Sequence, residues 1–403
     1  MSSSVDPRSD TAFDDEVGER CREALASATS FASLVNELEG ADPLTTLAAL
    51  RRLEVDRSVA GSARRRREEA MQARWTPPPS AIPIVHPLDY HWRFSAETIV
   101  ALTGRAERLS RPGDTIVFLG TPSVYQEALN TLGDRQLVLY ERDGRLIEAL
   151  AHDPRGHAYV ADLERDSLPD LGATCCIADP PWYPHAIESF VNAASTQLVT
   201  DGSLLVSFPA RLTRPAVMSE LRLALRAAQR DGFWLTEHHR LGCRYETPPF
   251  ELSAMAAAGL RCPPPLWRRG DLLTFRYSSP AATRRLVDDR PKWAAVEIDE
   301  IPFRVRATAP RIGTDVLGSL VDGDVLPSVS RRAPVRDKVA LWTSRNRVFA
   351  SSDPIRLARV LSRLSGGEPL AADDRALAGR VNQLVSVERR EHQLAKTPLY
   401  VAG

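Results

Sequence analysis

The segment Cys175-Cys176-Ile177-Ala178-Asp179-Pro180-Pro181-Trp182 decides how this chain is interpreted. Its first four residues are small or apolar and predict a buried strand that ends at Asp179. Because proline fixes φ, the two prolines hold the following backbone in one conformation. Asp179 and the carbonyl of Pro180 can then accept the two N–H groups of an amine, and Trp182 offers a stacking face to a planar substrate. A rigid Pro-Pro turn with an incidental acid is the alternative.

A second strand–turn–helix pattern lies earlier in the chain. Thr115–Leu119 is apolar and β-branched, and it is followed by Gly120, Thr121 and a helical stretch over 124–132. A strand that runs into a glycine-containing turn and a helix is a common docking place for nucleotide-like cofactors. Gly120 and Thr121 are therefore candidate cofactor contacts.

Two further apolar runs each end in an acid. The run that begins at Gln136 predicts a second strand closed by Glu141, and the next run predicts a third strand closed by Asp162. An acid about twenty residues after the glycine turn can accept hydrogen bonds from both ribose hydroxyls. Asp162 can accept the exocyclic amine of an adenine. Since ligands bind at the carboxyl ends of parallel strands, both acids should converge with Gly120 and Asp179.

The order of these features over about residues 82–280 resembles the class I methyltransferases that use S-adenosylmethionine. The four residues Asp179, Pro180, Pro181 and Trp182 are similar to the (D/N)PP(Y/F/W) motif of amino-group methyltransferases, including the N6-adenine enzymes. The resemblance implies an α/β fold with a Rossmann-like sheet. It also implies S-adenosylmethionine as cofactor, and an acceptor amine held by Asp179 and the Pro180 carbonyl.

The first motif departs from the family pattern. Phe118 stands where the family carries an acid, and Thr121-Pro122-Ser123 stands where further glycines are usual. Only Gly120 is kept. The altered loop leaves open a degenerate or changed cofactor site.

Composition agrees with a globular enzyme. The chain has 403 residues, enough for two or three domains, and 43% of them are hydrophobic. Its 52 basic and 52 acidic residues balance, so no global field draws it to nucleic acid or membrane. The five cysteines show no metal-binding spacing, and we expect no metal site. A reducing, cytoplasmic location and no membrane contact are expected, because no signal pattern or run of ~18 apolar residues occurs.

Three parts are expected along the chain: a helical N-terminal region over 1–80, a methyltransferase-like domain over 81–285, and a small α+β C-terminal domain over 286–403. A proline-rich stretch over 76–83 marks the first boundary. The aromatic segment 86–94 either lies across the cofactor cleft or is a packing arm. The C-terminal domain matches no known module and is a candidate for substrate recognition, homo-oligomer formation or contact with a protein partner.

A polar and aromatic insertion separates the last two strands predicted for the central sheet. Such insertions at the rim of a sheet usually select substrate. Arg244, Tyr245 and Glu246 are the candidates there, together with Tyr183, which directly follows Trp182. A structured hairpin cover is the alternative.

Three functions remain open at this level. The first is N-methyl transfer to an amino group, with adenine N6 in nucleic acid favoured; a base in a duplex would have to be flipped out. The second is a transferase acting on a small polyamine or a protein lysine. A branched-polyamine synthase family shares the strand–glycine turn–acid–DPP order, but it has an acidic run where this chain has Thr121-Pro122-Ser123. The third is a non-catalytic binding protein that keeps the fold.

Overall fold

The computed structural model describes residues 7–53, 83–89, 92–150, 154–260, 263–264, 266–278, 292–329 and 333–396. The chain divides into two compact units, each built from separate stretches of sequence. Unit 1 comprises residues 1–75, 92–246 and 264–288, and unit 2 comprises residues 76–91, 247–263 and 289–403. Most of the predicted proline-rich boundary, residues 76–82, lies outside the described residues.

Unit 1 begins with three helices, α1 (Pro7–Ala24), α2 (Phe31–Glu37) and α3 (Pro43–Arg52). The Asp42 side chain caps α3, since it accepts the N–H groups of Leu44 and Thr45 and so satisfies two donors of the first turn. The helical N-terminal region is thus confirmed as far as residue 53, and residues 54–74 of that prediction lie outside the described part.

A seven-stranded sheet forms the core of unit 1. Its strand order is β3-β2-β1-β4-β5-β7-β6. The first five strands in this order pair in parallel, whereas β7 runs antiparallel to β5 and β6 runs antiparallel to β7. The strands are β1 (Thr115–Leu119), β2 (Gln136–Glu141), β3 (Gly156–Val160), β4 (Ala173–Ala178), β5 (Leu198–Pro209), β6 (Phe233–Arg244) and β7 (Arg269–Tyr277).

Helices cover both faces of this sheet. They are α4 (Ala96–Leu109), α5 (Pro122–Thr131), α6 (Gly144–Leu150), α7 (Pro184–Ser195) and α8 (Val217–Arg230). Successive residues of β1 point to opposite faces, so Val117 packs in one apolar cluster with α7 and Phe118 packs in the other with α4 and α5. The predicted Rossmann-like α/β sheet is confirmed. Phe118 occupies the position of the missing acid because its ring belongs to the core.

Unit 2 is a small α+β unit. Its five-stranded antiparallel sheet has the order β10-β12-β11-β9-β8. Helices α10 (Pro354–Ser365) and α11 (Arg375–Lys396) pack on this sheet through Leu357, Leu361 and Val381, which share a buried cluster with Phe303 and Leu341. The elements of this unit are α9 (Pro249–Ala257), β8 (Ala294–Ile298), β9 (Ile301–Val305), β10 (Gly318–Ser319), β11 (Leu341–Thr343), β12 (Val348–Ala350), α10 (Pro354–Ser365) and α11 (Arg375–Lys396).

The two units are interleaved, in contrast to the three continuous parts expected from the sequence. Residues 84–89 belong to unit 2 because their polar groups bond within it. The ring Nε2 of His86 lies 3.0 Å from the carbonyl of Trp342, and Asp89 pairs with Arg304 at 2.6 Å. Neither partner has a local sequence signal, since each lies more than two hundred residues away.

Candidate functional site

The candidate site lies at the carboxyl ends of β1 and β4. The strand order reverses at this point, because the chain continues from β1 to β2 on one side and reaches β4 on the other. The N–H of Asp179 donates to the carbonyl of Leu119 at 3.1 Å, which fixes the two strand ends side by side. Gly120 has φ +63°, and a Cβ there would lie 3.0 Å from the Phe190 ring. Glycine is therefore required here on both conformational and steric grounds.

Asp179 is oriented through only one of its two carboxylate oxygens. Tyr245 donates its hydroxyl to Oδ1 at 2.8 Å, and Ser207 on β5 donates a second, short hydrogen bond to the same atom. No donor in the described part of the chain reaches Oδ2. A carboxylate that is fixed through one oxygen and open at the other is suited to accept an N–H from a ligand.

A second open acceptor follows directly. The carbonyl of Pro181 accepts the N–H of Tyr183 at 2.6 Å, and the carbonyl of Trp182 accepts from Arg214 at 2.5 Å. Within the described ranges, no donor reaches the carbonyl of Pro180 that precedes them. Asp179 Oδ2 and the Pro180 carbonyl are thus two acceptors on consecutive residues that no described donor reaches, and an –NH₂ group requires two acceptors.

The environment makes Asp179 a weak acid. Burial raises its pKa to about 7, and the hydrogen bonds from Ser207 and Tyr245 and the charge of Arg268 oppose this rise. Burial also raises the pKa of Tyr245 well above its ordinary value, so its hydroxyl stays protonated and remains a donor. The carboxylate is therefore poised to gain or lose a proton near neutral pH.

Trp182 is packed into the site wall. Its side chain is only 5% exposed, its Nε1 lies 3.3 Å from Ser207 Oγ, and its ring meets Tyr245 edge-on at 5.3 Å. The guanidinium of Arg268 lies 4.2 Å above its ring centre. A Cβ on Gly270 of β7 would lie 2.6 Å from the Trp182 ring, so that strand leaves room for the indole. Stacking of a base on Trp182 remains a prediction, and Arg268 already contacts the ring.

The aromatic segment before α4 packs against the same wall. Phe94 pairs with Tyr245 as an isolated β-bridge, with ring centres 4.8 Å apart. The N–H of Ser95 donates to the carbonyl of Arg244 at 2.8 Å, which ties the two segments together. Trp92 meets Trp267 edge-on at 5.9 Å. Of the two roles left open by the sequence, these contacts are those of a packing arm that positions Tyr245.

The cofactor candidates line the neighbouring strand ends. The N–H of Gly120 donates to the carbonyl of Tyr140, and the N–H of Ala161 donates to the carbonyl of Glu141, so the ends of β1, β2 and β3 are adjacent. Glu141 is 6% exposed, and its Oε1 accepts the backbone N–H groups of the next two residues. The half-buried carboxylate of Asp162 accepts the N–H of Glu164 at 3.1 Å. Their roles toward a cofactor remain predictions.

Thr121 differs from the other cofactor candidates. Its side chain is buried, and Oγ1 lies 3.4 Å from the carbonyl of Ile177 on β4. The hydroxyl therefore faces the sheet, and the next residue, Pro122, begins α5 without an N–H. Any contact of Thr121 with a cofactor would have to involve its backbone.

The substrate candidates separate into an inner and an outer group. Tyr245 reaches Asp179, whereas no described contact joins its neighbours Arg244 and Glu246 to that carboxylate. Arg244 lies 3.7 Å from Glu97, and burial raises the pKa of Glu246 against the opposing charge of Arg93. Tyr183 stacks on His185 at 6.2 Å. Their roles in substrate selection remain predictions.

Ser207, Arg268 and Gly270 were not predicted from the sequence. They lie 28 to 91 positions after Asp179, on β5 or at the start of β7, and no local motif marks them. A serine near the end of a predicted strand was the one available signal. Among the described residues no cluster of His, Cys, Asp and Glu is arranged to hold a metal, and no helix is long and apolar enough to cross a membrane.

Comparison with known proteins agrees with this architecture. Residues 89–241 match the family model described as "Probable N6-adenine methyltransferase". A search of curated proteins finds no match. Among solved structures, the branched-chain polyamine synthase from Thermus thermophilus, in complex with N4-aminopropylspermidine and 5'-methylthioadenosine, is similar with TM-score 0.54 at 16% identity; the match covers 71% of this chain and 97% of that one. Its C9 mutein gives TM-score 0.52 at 17% identity, over 70% and 97% of the two chains.

The polyamine synthase likeness supports the fold, and the family model supports the reaction class. The five parallel strands β1 to β5, the glycine turn after β1 and the acids that close β2 and β4 lie within the matched segment. We conclude that this chain is an enzyme of the class I methyltransferase fold with S-adenosylmethionine as cofactor, and that its residues 89–241 match the model of the probable N6-adenine methyltransferase family.

Proposed function

We propose that this protein transfers a methyl group from S-adenosylmethionine to an amino group held at Asp179, with adenine N6 in nucleic acid as the favoured acceptor. One observation carries the proposal. Asp179 Oδ2 and the Pro180 carbonyl are adjacent acceptors that no described residue uses, while Ser207 and Tyr245 hold the carboxylate through Oδ1. Two acceptors at fixed positions would bind both N–H groups of an –NH₂ and so orient its lone pair.

The residues at the neighbouring strand ends fit the cofactor. Gly120 permits close approach of a ligand to the backbone, Glu141 would accept the ribose hydroxyls, and Asp162 would accept the adenine amine. Thr121 would contribute its backbone only, because its side chain faces β4. S-adenosylmethionine, when bound, supplies the electrophilic methyl group.

The chain's own contribution is mainly positioning. Pro180 and Pro181 fix the loop, and Asp179 and the Pro180 carbonyl would orient the attacking nitrogen. After attack the nitrogen carries an extra proton. Because burial raises the pKa of Asp179 to about 7, Oδ2 can receive that proton near neutral pH.

The alternatives from the sequence are a polyamine or protein lysine as acceptor, and a non-catalytic protein with this fold. The likeness to a polyamine synthase favours the first of them only at the level of fold. A further part of the proposal is a reducing, cytoplasmic location. It is supported by the four described cysteines, Cys21, Cys175, Cys176 and Cys243, which are buried free thiols.

The test is transfer from methyl-labelled cofactor by the full chain to three acceptors: an adenine-containing oligonucleotide, spermidine and a lysine peptide. We expect transfer to the oligonucleotide. Asp179→Ala should lower turnover roughly 10- to 100-fold, since a hydrogen bond to a charged group contributes about 1.5–3 kcal/mol. Asp15→Ala, at an exposed position of α1, is the control.

Calorimetry separates the chemistry from cofactor binding. We expect S-adenosylmethionine to bind in the micromolar range, about −8 kcal/mol. Asp179→Ala should leave this affinity nearly unchanged, and Glu141→Gln should weaken it while Glu148→Gln, exposed on α6, does not. If Asp179→Ala keeps near-wild-type turnover, the loop that begins at Asp179 is a structural turn and does not bind the acceptor. The absence of heat at millimolar cofactor would favour the non-catalytic alternative.

A further inference from the structure

Arg268 is a cation held at the wall of the acceptor site. Its guanidinium carbon lies 4.1 Å from the ring centre of Trp92 and 4.2 Å from that of Trp182. Indole faces attract a cation, most strongly where water is excluded. Trp182 and Trp267, the residue before Arg268, are both buried, and Arg268 itself is half-buried, so the guanidinium lies in a partly shielded, aromatic environment.

The backbone at Arg268 is also fixed. Its carbonyl accepts the N–H of Tyr245 at 3.1 Å, and the following residue pairs with Arg244 at the start of β7. Gly270, two residues on, packs directly under the Trp182 ring. The side chain thus leaves from a rigid strand end, and its position relative to the Asp179 loop is set by the sheet.

Two buried carboxylates add to this restraint. The charge of Arg268 acts on Asp179 and also on Asp42, the capping residue of α3. Asp42 Oδ1 accepts the N–H groups of Leu44 and Thr45, and the positive charge of Arg268 acts on this carboxylate as well. A guanidinium that contacts two indoles and is attracted by two carboxylates is costly to displace.

The position of Arg268 sets the electrostatic environment of an acceptor bound at Asp179. Arg268 and Glu141 are the charged side chains that act on Asp179, and Glu141 belongs to the strand end assigned to the cofactor. On the acceptor side, Arg268 is therefore the positive charge that acts on Asp179. An ammonium group bound at Asp179 would be repelled by the positive charge of Arg268, whereas an uncharged amine would meet no such repulsion.

We propose that Arg268 is the specificity-determining residue of the acceptor site, because it excludes ammonium groups and admits uncharged amines such as the exocyclic amine of a nucleobase. The inference rests on the proposed function, since it takes Asp179 as the acceptor position. In this proposal the Arg268 side chain decides between nucleobase amines and the ammonium groups of polyamines or lysine, a choice that the fold alone leaves open.

The experiment compares binding of matched probes to the full chain saturated with S-adenosylhomocysteine, which keeps the probes out of the cofactor site. Aniline is uncharged at neutral pH and benzylamine is an ammonium of similar size; adenosine and spermidine form a second pair. The wild type should bind the uncharged member of each pair at least tenfold more tightly. Arg268→Gln should reduce this preference at least tenfold, and Arg268→Lys should keep it.

Two further variants control for loss of folding and for nonspecific effects of removing a charge. Arg268→Met removes the charge but leaves an unbranched chain that packs against the indoles, so it reports on charge even if Arg268→Gln unfolds. Arg240→Gln, at an exposed position of β6, should leave the preference unchanged. Thermal melting checks that each variant is folded.

The inference is overturned if the wild type prefers the ammonium probes, or if folded Arg268→Gln or Arg268→Met keeps the wild-type preference. Labelled methyl transfer is measured on the same samples. A charge preference that depends on Arg268, without transfer to any acceptor, would uphold this inference and contradict the proposed reaction. Methyl transfer together with a charge preference that does not depend on Arg268 would support the proposed reaction and contradict this inference.

Discussion

The proton of Asp179 links the geometry of the site to a measurable pH dependence. Burial raises its pKa from 3.8 to about 7, so the folded state keeps a proton that the unfolded chain releases. The contribution of this group to stability is therefore full below about pH 4 and is lost as the pH rises through about 7. Each unit of the shift corresponds to about 1.4 kcal/mol. At neutral pH the raised pKa of Asp179 therefore makes the folded state less stable than it is at low pH, and it leaves a carboxylate that can gain or lose a proton.

We predict that kcat/KM rises with pH through about 7, with a slope near one, because only ionised Asp179 accepts the substrate N–H through Oδ2. Tyr245→Phe removes a donor to Oδ1, so the midpoint should move to higher pH and the plateau should fall. The measurement is the pH profile of labelled methyl transfer. Tyr159→Phe, on an exposed β3 side chain, is the matched control. An unchanged midpoint in Tyr245→Phe would contradict the assigned hydrogen bond.

At the scale of elements, the close contact of β7 with the Asp179 loop matters most. A Cβ at Gly270 would lie 2.6 Å from the Trp182 ring and 2.7 Å from the carbonyl of Phe208. We predict that Gly270→Ala lowers the free energy of unfolding by about 1–3 kcal/mol, as overpacking does, and lowers activity by displacing Trp182. Denaturant unfolding gives the first quantity and methyl transfer the second.

Gly104→Ala in α4 is the control, because its nearest neighbour to an added Cβ is a flexible Arg108 side chain at 3.6 Å. This change should be neutral or stabilising, since alanine favours a helix over glycine by up to about 1 kcal/mol. If Gly270→Ala behaves like Gly104→Ala, the strand does not constrain the indole.

The strand ends could be predicted from the sequence because their signal is local. An apolar run of residues predicts a strand, and the Gly120, Glu141 or Asp179 that follows it marks the carboxyl end of that strand, where ligands bind. The surroundings of Trp182 could not be predicted in this way. Arg268 and Gly270 reach it only because β7 inserts between β5 and β6, and that strand order is a property of long-range pairing.

At the scale of the whole molecule, the interleaving of the two units depends on a few buried polar contacts. Arg304 on β9 lies 2.6 Å from both carboxylate oxygens of Asp89, and both side chains are largely buried. We predict that Asp89→Ala destabilises unit 2 by about 3–5 kcal/mol, since it leaves an uncompensated buried charge. The measurement is chemical unfolding of the full chain.

Asp322→Ala, at an exposed position of the same unit, is the matched control and should change stability by less than about 0.5 kcal/mol. Equal unfolding curves for the two variants would show that residues 84–89 contribute little to unit 2. Homo-oligomer formation or partner contact through the C-terminal region stays a prediction, which sedimentation of the full chain can test.

The interleaved path of the chain also limits how such a protein can be inherited and rebuilt. The polypeptide passes between the units at five points, after residues 75, 91, 246, 263 and 288. A single recombination event joins one continuous stretch to another, so it cannot deliver a whole second unit to a new host domain or remove one cleanly. The short stretches 76–91 and 247–263 would be left behind.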